Sequence, residues 1–218
     1  MLIGNSLDQL DSMYPTKGFM FYKEEFFLPS FSRFCSIYGY SYSDSIIQVD
    51  NKEYKLEAGQ YFGLGVKNEI RGKVSGKLFL VLRLGYIVPN TLGWIEKKGR
   101  LSYIDGCSDS LLVYPSRLGD GSLNLLYFPP GTNQSFHRHP SIRVGCVVDG
   151  YGFSNYGEPG LEEEDKLSTG LAFSLSEQER HRFRTESSSM TIIAYHPDGD
   201  WGPTDHNHTM LNRTYVSK

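Results

Sequence analysis

The strongest constraint on this chain is that its apolar runs are short and end at turn residues. Residues 45–49 (SIIQV) run into the turn Asp50-Asn51-Lys52, then 54–56 resume, and 78–84 (LFLVLRL) reads as a buried strand. A second series begins near Leu111 with LLVYP, followed by LNLLYF (123–128), IRVGCVV (142–148), LAFSL (171–175) and MTIIAYH (190–196). Runs of this length and spacing predict strands of a barrel or sandwich rather than βαβ units. The composition agrees: 23 Gly supply turns, and 15 Tyr with 13 Phe favour pleated surfaces.

Only Leu7, Leu10 and Met13, behind Asn5 and Ser6, suggest a helical turn, within a lead-in of about 25 residues. Residues 89–106, carrying Trp94, read as a linker with Lys97-Lys98 on a solvated face. Residues 157–166, with the run Glu162-Glu163-Glu164-Asp165, read as a solvated loop. The expected division is 1–106 and 107–218.

Net charge is −3, and the cations are scattered. Nucleic acid needs a concentrated basic face, so it is not an expected partner. No window reaches the ~18 continuous apolar residues of a membrane span, and no signal-peptide core opens the chain. Cys35, Cys107 and Cys146 form an odd, widely spaced set, expected as buried free thiols of a cytoplasmic protein. The sequons at Asn133, Asn207 and Asn212 are then fortuitous.

All six histidines lie at position 137 or beyond, so a histidine-rich site can form only in the second half. In Gly131-Thr-Asn-Gln-Ser-Phe-His137-Arg-His139 the two imidazoles are two apart and would share one face of a strand. His181, after a further Gly-bounded strand, can lie opposite them. Three neutral imidazoles suit Fe, Mn, Ni, Cu or Zn.

Here the sequence resembles the cupin superfamily, whose first motif is G-x5-H-x-H-x3-E-x6-G. Gly131, His137, His139, Arg143 and Gly150 stand at those intervals. The second motif, G-x5-P-x-G-x2-H-x3-N, meets Gly170, Ser176, Gln178, His181 and Thr185. The glycines at 131, 150 and 170 and all three histidines match; the Glu, Pro, internal Gly and Asn do not. The resemblance covers residues 111–196, and 40–86 looks like a degenerate repeat without ligands. It implies an all-β fold of two cupin (jelly-roll, double-stranded β-helix) barrels, the second binding metal, and a homodimer.

In the family pattern the Glu is a fourth ligand. Arg143 is cationic and offers no lone pair, which leaves a three-histidine site of the kind the resemblance associates with thiol dioxygenases. Arg143 can hold a carboxylate or phosphate in a bidentate pair, or else point outward or pair with a structural acid. The last run ends at His196 and is followed by Asp198, Asp200, Trp201, Asp205, His206 and His208. They read as a Gly/Pro-structured loop packing Trp201, with orienting partners for the ligands as the competing reading. His196 is the member nearest the barrel mouth. Tyr127, Tyr195 and Phe183 are candidate pocket walls.

No Gly-x-Ser-x-Gly elbow is present, Cys146 sits in an apolar strand, and Gly63-Leu-Gly65 is a turn. The expected functions are therefore an Fe(II) oxygenase taking dioxygen and a small anionic substrate; an Mn or Zn isomerase, lyase or hydrolase with His196 or Tyr195 as acid or base; or a non-catalytic ligand-binding cupin.

Overall fold

The computed structural model of the chain describes residues 1–7, 14–29, 34–117 and 119–199. Leu10, Met13, Asp200, Trp201, Asp205, His206, His208, Asn207 and Asn212 lie outside the described residues. Within them the chain forms nineteen strands, a single 3-10 turn at Ile104–Gly106 and no α-helix. Leu7, expected to open a helical turn, is instead a buried member of the strand Ser6–Leu7, paired with Thr16–Tyr22. Burying that leucine in a core outweighs the weak local preference of so short a segment.

Residues from the first half build two antiparallel sheets. A six-stranded sheet runs Thr91–Trp94, Gln60–Val66, Cys35–Ser41, Lys77–Leu84, Thr16–Tyr22, Ser6–Leu7. A four-stranded sheet runs Glu25–Leu28, Ile70–Val74, Ser45–Val49, Lys52–Leu56. Leu78, Leu80 and Leu82 meet Ile47, Leu56 and Ile70 between these sheets. Phe79 and Val81, on the alternate face, enter a different core with Leu123, Leu125, Val144, Ile193 and Tyr195. The central strand is thus covered on both faces, which is why its sequence is continuously apolar rather than alternating.

The second half, with Leu2–Ile3 and Leu101–Ser102 of the first at its ends, forms a nine-stranded sheet whose main path is Leu2–Ile3, Ala172–Leu175, Arg143–Tyr156, Met190–His196, Ser122–Phe128, Ser108–Val113, Leu101–Ser102. None of the three sheets closes on itself. The 14-residue strand Arg143–Tyr156 begins beside Ala172–Leu175 and Met190–His196 and ends beside Glu163–Ser168 and His181–Arg184. It changes partners at a register shift between Val147 and Asp149, and Gly150 follows at φ +73°. A bulge followed by a left-handed glycine bends a strand without losing its outer pairings. Phe128, Val147, Leu167, Phe173, Phe183 and Ile192 fill the space the bent sheet encloses.

Two expected loops are partly strand. In 89–106, Thr91–Trp94 extends the six-stranded sheet and Leu101–Ser102 edges the nine-stranded one. Pairing at sheet edges satisfies backbone groups that a bare linker leaves to water. In 157–166, Glu163 onward pairs with Tyr151–Tyr156, and the acids meet cations: Glu162 with Arg180 at 3.0 Å and Glu164 with Arg184 at 2.8 Å. All three cysteines are free and buried.

Gly131 and Gly150, both from the first motif, allow a comparison. Both are left-handed, at φ +77° and +73°, but a Cβ at Gly131 meets nothing within 4 Å, whereas one at Gly150 falls 2.0 Å from the Ser189 carbonyl oxygen. Gly131→Ala is expected to cost about 1–2 kcal/mol from backbone strain alone. Gly150→Ala, adding a backbone clash, is expected to cost on the order of 3 kcal/mol or more. Urea midpoints of the two variants measure this, and equal losses would show that the bend relaxes around a side chain.

Candidate metal centre

The three histidines converge through backbone pairing. His137 and His181 form an isolated antiparallel bridge, exchanging N–H···O bonds of 2.9 and 3.0 Å. His181 opens the strand His181–Arg184, which the far end of Arg143–Tyr156 holds in place. Contrary to the expectation from their spacing, His137 and His139 do not share a continuous strand; only His137 is bridged. The His139 carbonyl instead accepts the Gln178 N–H at 2.9 Å, tying this segment to the one before His181. Gln178 occupies the internal glycine position of the second motif and adopts φ +58°, so the turn keeps its left-handed shape without glycine. Thr185, at the Asn position, accepts the Thr132 N–H at 3.0 Å and keeps a polar tie to the turn that starts at Gly131.

The ring centroids lie 4.4, 5.0 and 5.1 Å apart, and one nitrogen from each ring falls within 4.8 Å of the others. Two backbone carbonyls set the tautomers. Nδ1 of His137 lies 2.9 Å from the Ser135 carbonyl, and Nδ1 of His181 lies 2.9 Å from that of Glu179. A carbonyl only accepts, so each Nδ1 carries the hydrogen and each Nε2 keeps its lone pair. Nε2 of His181 is buried and has no hydrogen-bond partner. Such an orphaned lone pair costs about 1–3 kcal/mol unless something fills it, and a divalent ion between three imidazoles does so. The residues present fit a metal.

Around the histidines lies a cavity of about 40 Å³. Phe128, Phe173, Leu175, Phe183 and Ile192 make one wall; Tyr103, Asp109, Arg143 and His196 bring polar groups. Phe183 is therefore a wall, as expected. Arg143 is buried and faces inward, and it also has an acid partner, combining two readings that looked exclusive. Its Nη1 donates to the Ser141 and Ile142 carbonyls at 3.1 and 2.9 Å, to Ser141 Oγ at 2.6 Å and to Asp198 Oδ1 at 3.3 Å. Its buried Nε has no partner.

His196, the last residue of Met190–His196, lines the cavity, whereas Tyr195 does not. Neighbours on a strand face opposite ways, so Tyr195 enters the other core, its ring 4.8 Å from that of Tyr38. The catalytic role expected of Tyr195 has no geometric basis here. Tyr127 is likewise outside this cavity and sits beneath Lys98 on a separate groove. Tyr103, Asp109 and Gln134 line the cavity without having been singled out in the sequence. The apolar signal starts this strand near Leu111, too late to place Asp109; its true start at Ser108 puts Asp109 on an inward position.

Burial holds the imidazoles neutral. Desolvation, reinforced by Arg143 and the other two rings, takes His139 down to about 3. Desolvation, opposed by the hydrogen bond to the Glu179 carbonyl, takes His181 down to about 4. Burial, Arg143 and His139 push His196 well below its ordinary range. Proton competition at His139 and His181 therefore sets in well below the ordinary histidine value of 6.5, at which the sequence alone places it. The unfolded chain binds more protons than the native one between about pH 6.5 and 4, so stability rises with pH there. Metal-free protein is expected to lose stability as pH falls from about 6.5 through about 4, with the loss levelling off below about 3. A urea midpoint that stays flat from about pH 7 to 4 would show that these rings are solvated.

No family model matches the chain, and no curated protein matches it by sequence. Solved structures do resemble it. The protein Ylba from E. coli, of the DUF861 family, matches at 14% identity over 92% of this chain and 86% of its own, with a TM-score of 0.61. A cupin 2 conserved barrel domain protein from Leptotrichia buccalis matches at 14% identity over 84% and 82%, TM-score 0.55. Salicylate 1,2-dioxygenase from Pseudoaminobacter salicylatoxidans, solved with gentisate, matches at 11% identity over 84% and 68%, TM-score 0.57. At such identities the likeness shows the fold alone, and it is the cupin fold.

Proposed function

We propose that this chain is a metal-dependent cupin enzyme that binds Fe(II) at His137, His139 and His181 and oxidises a small anionic substrate with dioxygen. The observation that carries the reading is the pairing of an orphaned His181 Nε2 with a buried Arg143 whose Nε also lacks a partner, both on one cavity. We extend this to a division of labour: residues 1–106 form a histidine-free cupin-like unit, and 107–218 form the unit that binds metal.

The ligand set is three neutral imidazoles, so a bound divalent ion keeps its full charge, and Arg143 adds another cation. An anion entering the cavity is attracted by both and accepts a hydrogen bond from an otherwise unpartnered guanidinium N–H. Iron, when bound, supplies the open coordination positions and the electrons for dioxygen chemistry. The chain's own contribution is positional. The carbonyls of Ser135 and Glu179 fix His137 and His181, Asp198 and Ser141 anchor Arg143, and the phenylalanine wall excludes water. One water needs about 10–15 Å³ by this measure, so 40 Å³ takes about three, which restricts the site to a small ligand.

A Lewis-acid reading with Mn or Zn is favoured by one observation: His196 lies in the cavity and burial keeps it a neutral imidazole, which offers one ring N–H donor and one acceptor to a bound ligand. Turnover under strict anaerobiosis selects that reading over oxygenation.

Protein purified without oxygen and reconstituted with Fe(II) is expected to hold one iron per chain, to lose it in His181→Ala, and to consume oxygen with small carboxylates. Arg143→Gln is expected to keep the iron but weaken carboxylate binding at least ~10-fold, as loss of a charge-assisted pair does. Iron retained in His181→Ala, or carboxylate affinity unchanged in Arg143→Gln, would overturn the respective assignment.

A further inference from the structure

Asp109 is the only carboxylate lining the metal cavity among the described residues. It sits on Ser108–Val113, opposite Leu126 on one side and Leu101 on the other. The Asn124 amide Nδ2 reaches both its oxygens, at 3.1 and 3.0 Å. A carboxylate accepts about four hydrogen bonds, and one amide nitrogen leaves most of that capacity open. Its partly buried surroundings push its pKa up, opposed by Asn124.

Asp109 and Arg143 face the same small cavity with opposite charge, yet Arg143 makes its ion pair with Asp198. The Tyr103 phenol lines the same cavity; burial is the main cause that raises its pKa, and it feels both charges, raised by Asp109 and lowered by Arg143. A cavity with a cation on one wall and an under-used acceptor on another suits a ligand that is itself two-ended. The alternative is that Asp109 and Asn124 form a purely structural polar tie.

Resting on the proposal that Arg143 holds the substrate's anionic group, we infer that Asp109 is the specificity-determining residue at the other end. It accepts a hydrogen bond from a hydroxyl or amino group, so the site selects small α-hydroxy or α-amino acids over plain carboxylates. A site that hydrogen-bonds a substrate hydroxyl rejects an analogue lacking it far more strongly than a site that only adds apolar contact, because its polar group is left unpaired.

The test is a titration of Co(II)-loaded protein with glycolate and with acetate, followed by the visible spectrum of the bound cobalt. These acids differ by one hydroxyl. Wild-type protein is expected to favour glycolate at least ~10-fold. Because a metal can favour glycolate unaided, the variant decides: in Asp109→Ala the preference should collapse towards the level of cobalt alone. Asp109→Asn, which keeps the shape and an acceptor oxygen, should retain part of it. Cobalt content of both variants should match wild type, which reports an intact site. A preference unchanged in Asp109→Ala, or none in wild type, would overturn the role of Asp109 alone. A spectrum unmoved by either acid would overturn the reading of Arg143 as an anion site, and this inference with it.

Discussion

The candidate site depends on one strand that serves two layers. Arg143–Tyr156 starts among Ala172–Leu175 and Met190–His196 and ends among Glu163–Ser168 and His181–Arg184. Its first residue puts a guanidinium into the cavity, and its last pairs with His181. The bend at Val147–Gly150 therefore sets the distance between the cation that would meet an anion and the imidazoles that would meet a metal. Once that strand is bent, the bridge from His181 to His137 and the bond from Gln178 to His139 bring in the remaining ligands without a continuous strand.

The electrostatics follow from that geometry. Three rings crowded beside a buried arginine do best neutral, and each ring whose Nδ1 is committed to a carbonyl presents a lone pair at Nε2. A protein gains nothing by burying such groups for packing alone, since unfilled acceptors in an apolar setting are destabilising. Arg143, where the cupin pattern has a carboxylate, changes the charge of the centre and relies on Asp198 for its own compensation.

Much of this was legible in the sequence, because the residues concerned have few alternatives. Three histidines after 136 histidine-free residues could form a cluster only in the second half. Gly131 and Gly150, matched to the cupin motif, stand where the backbone is left-handed. The features hidden in the sequence have a physical reason in each case. Residues 91–94 and 163–168 pair only along exposed or charged edges, where the apolar pattern is weak. Asp109 is a polar residue pointing inward, the reverse of what a pattern of buried apolar side chains reveals. Tyr195 and His196 are adjacent in sequence, and only the observed register showed which face each occupies.

The six-stranded sheet is sandwiched: one face packs against the four-stranded sheet, and the other against the sheet that carries the histidines. Tyr42 donates to the Val147 carbonyl at 2.6 Å, Tyr38 to that of Gly121 at 3.2 Å, and Lys77 to that of Gly170 at 3.3 Å. The core against the four-stranded sheet belongs to the histidine-free half alone, whereas the core on the opposite face is built from both halves. Stability gained on the histidine side would then reach the six-stranded sheet through that common core and these three hydrogen bonds. An ion held by the distant histidines would in that case slow the exchange of amide protons in Lys77–Leu84, which touch none of the three rings.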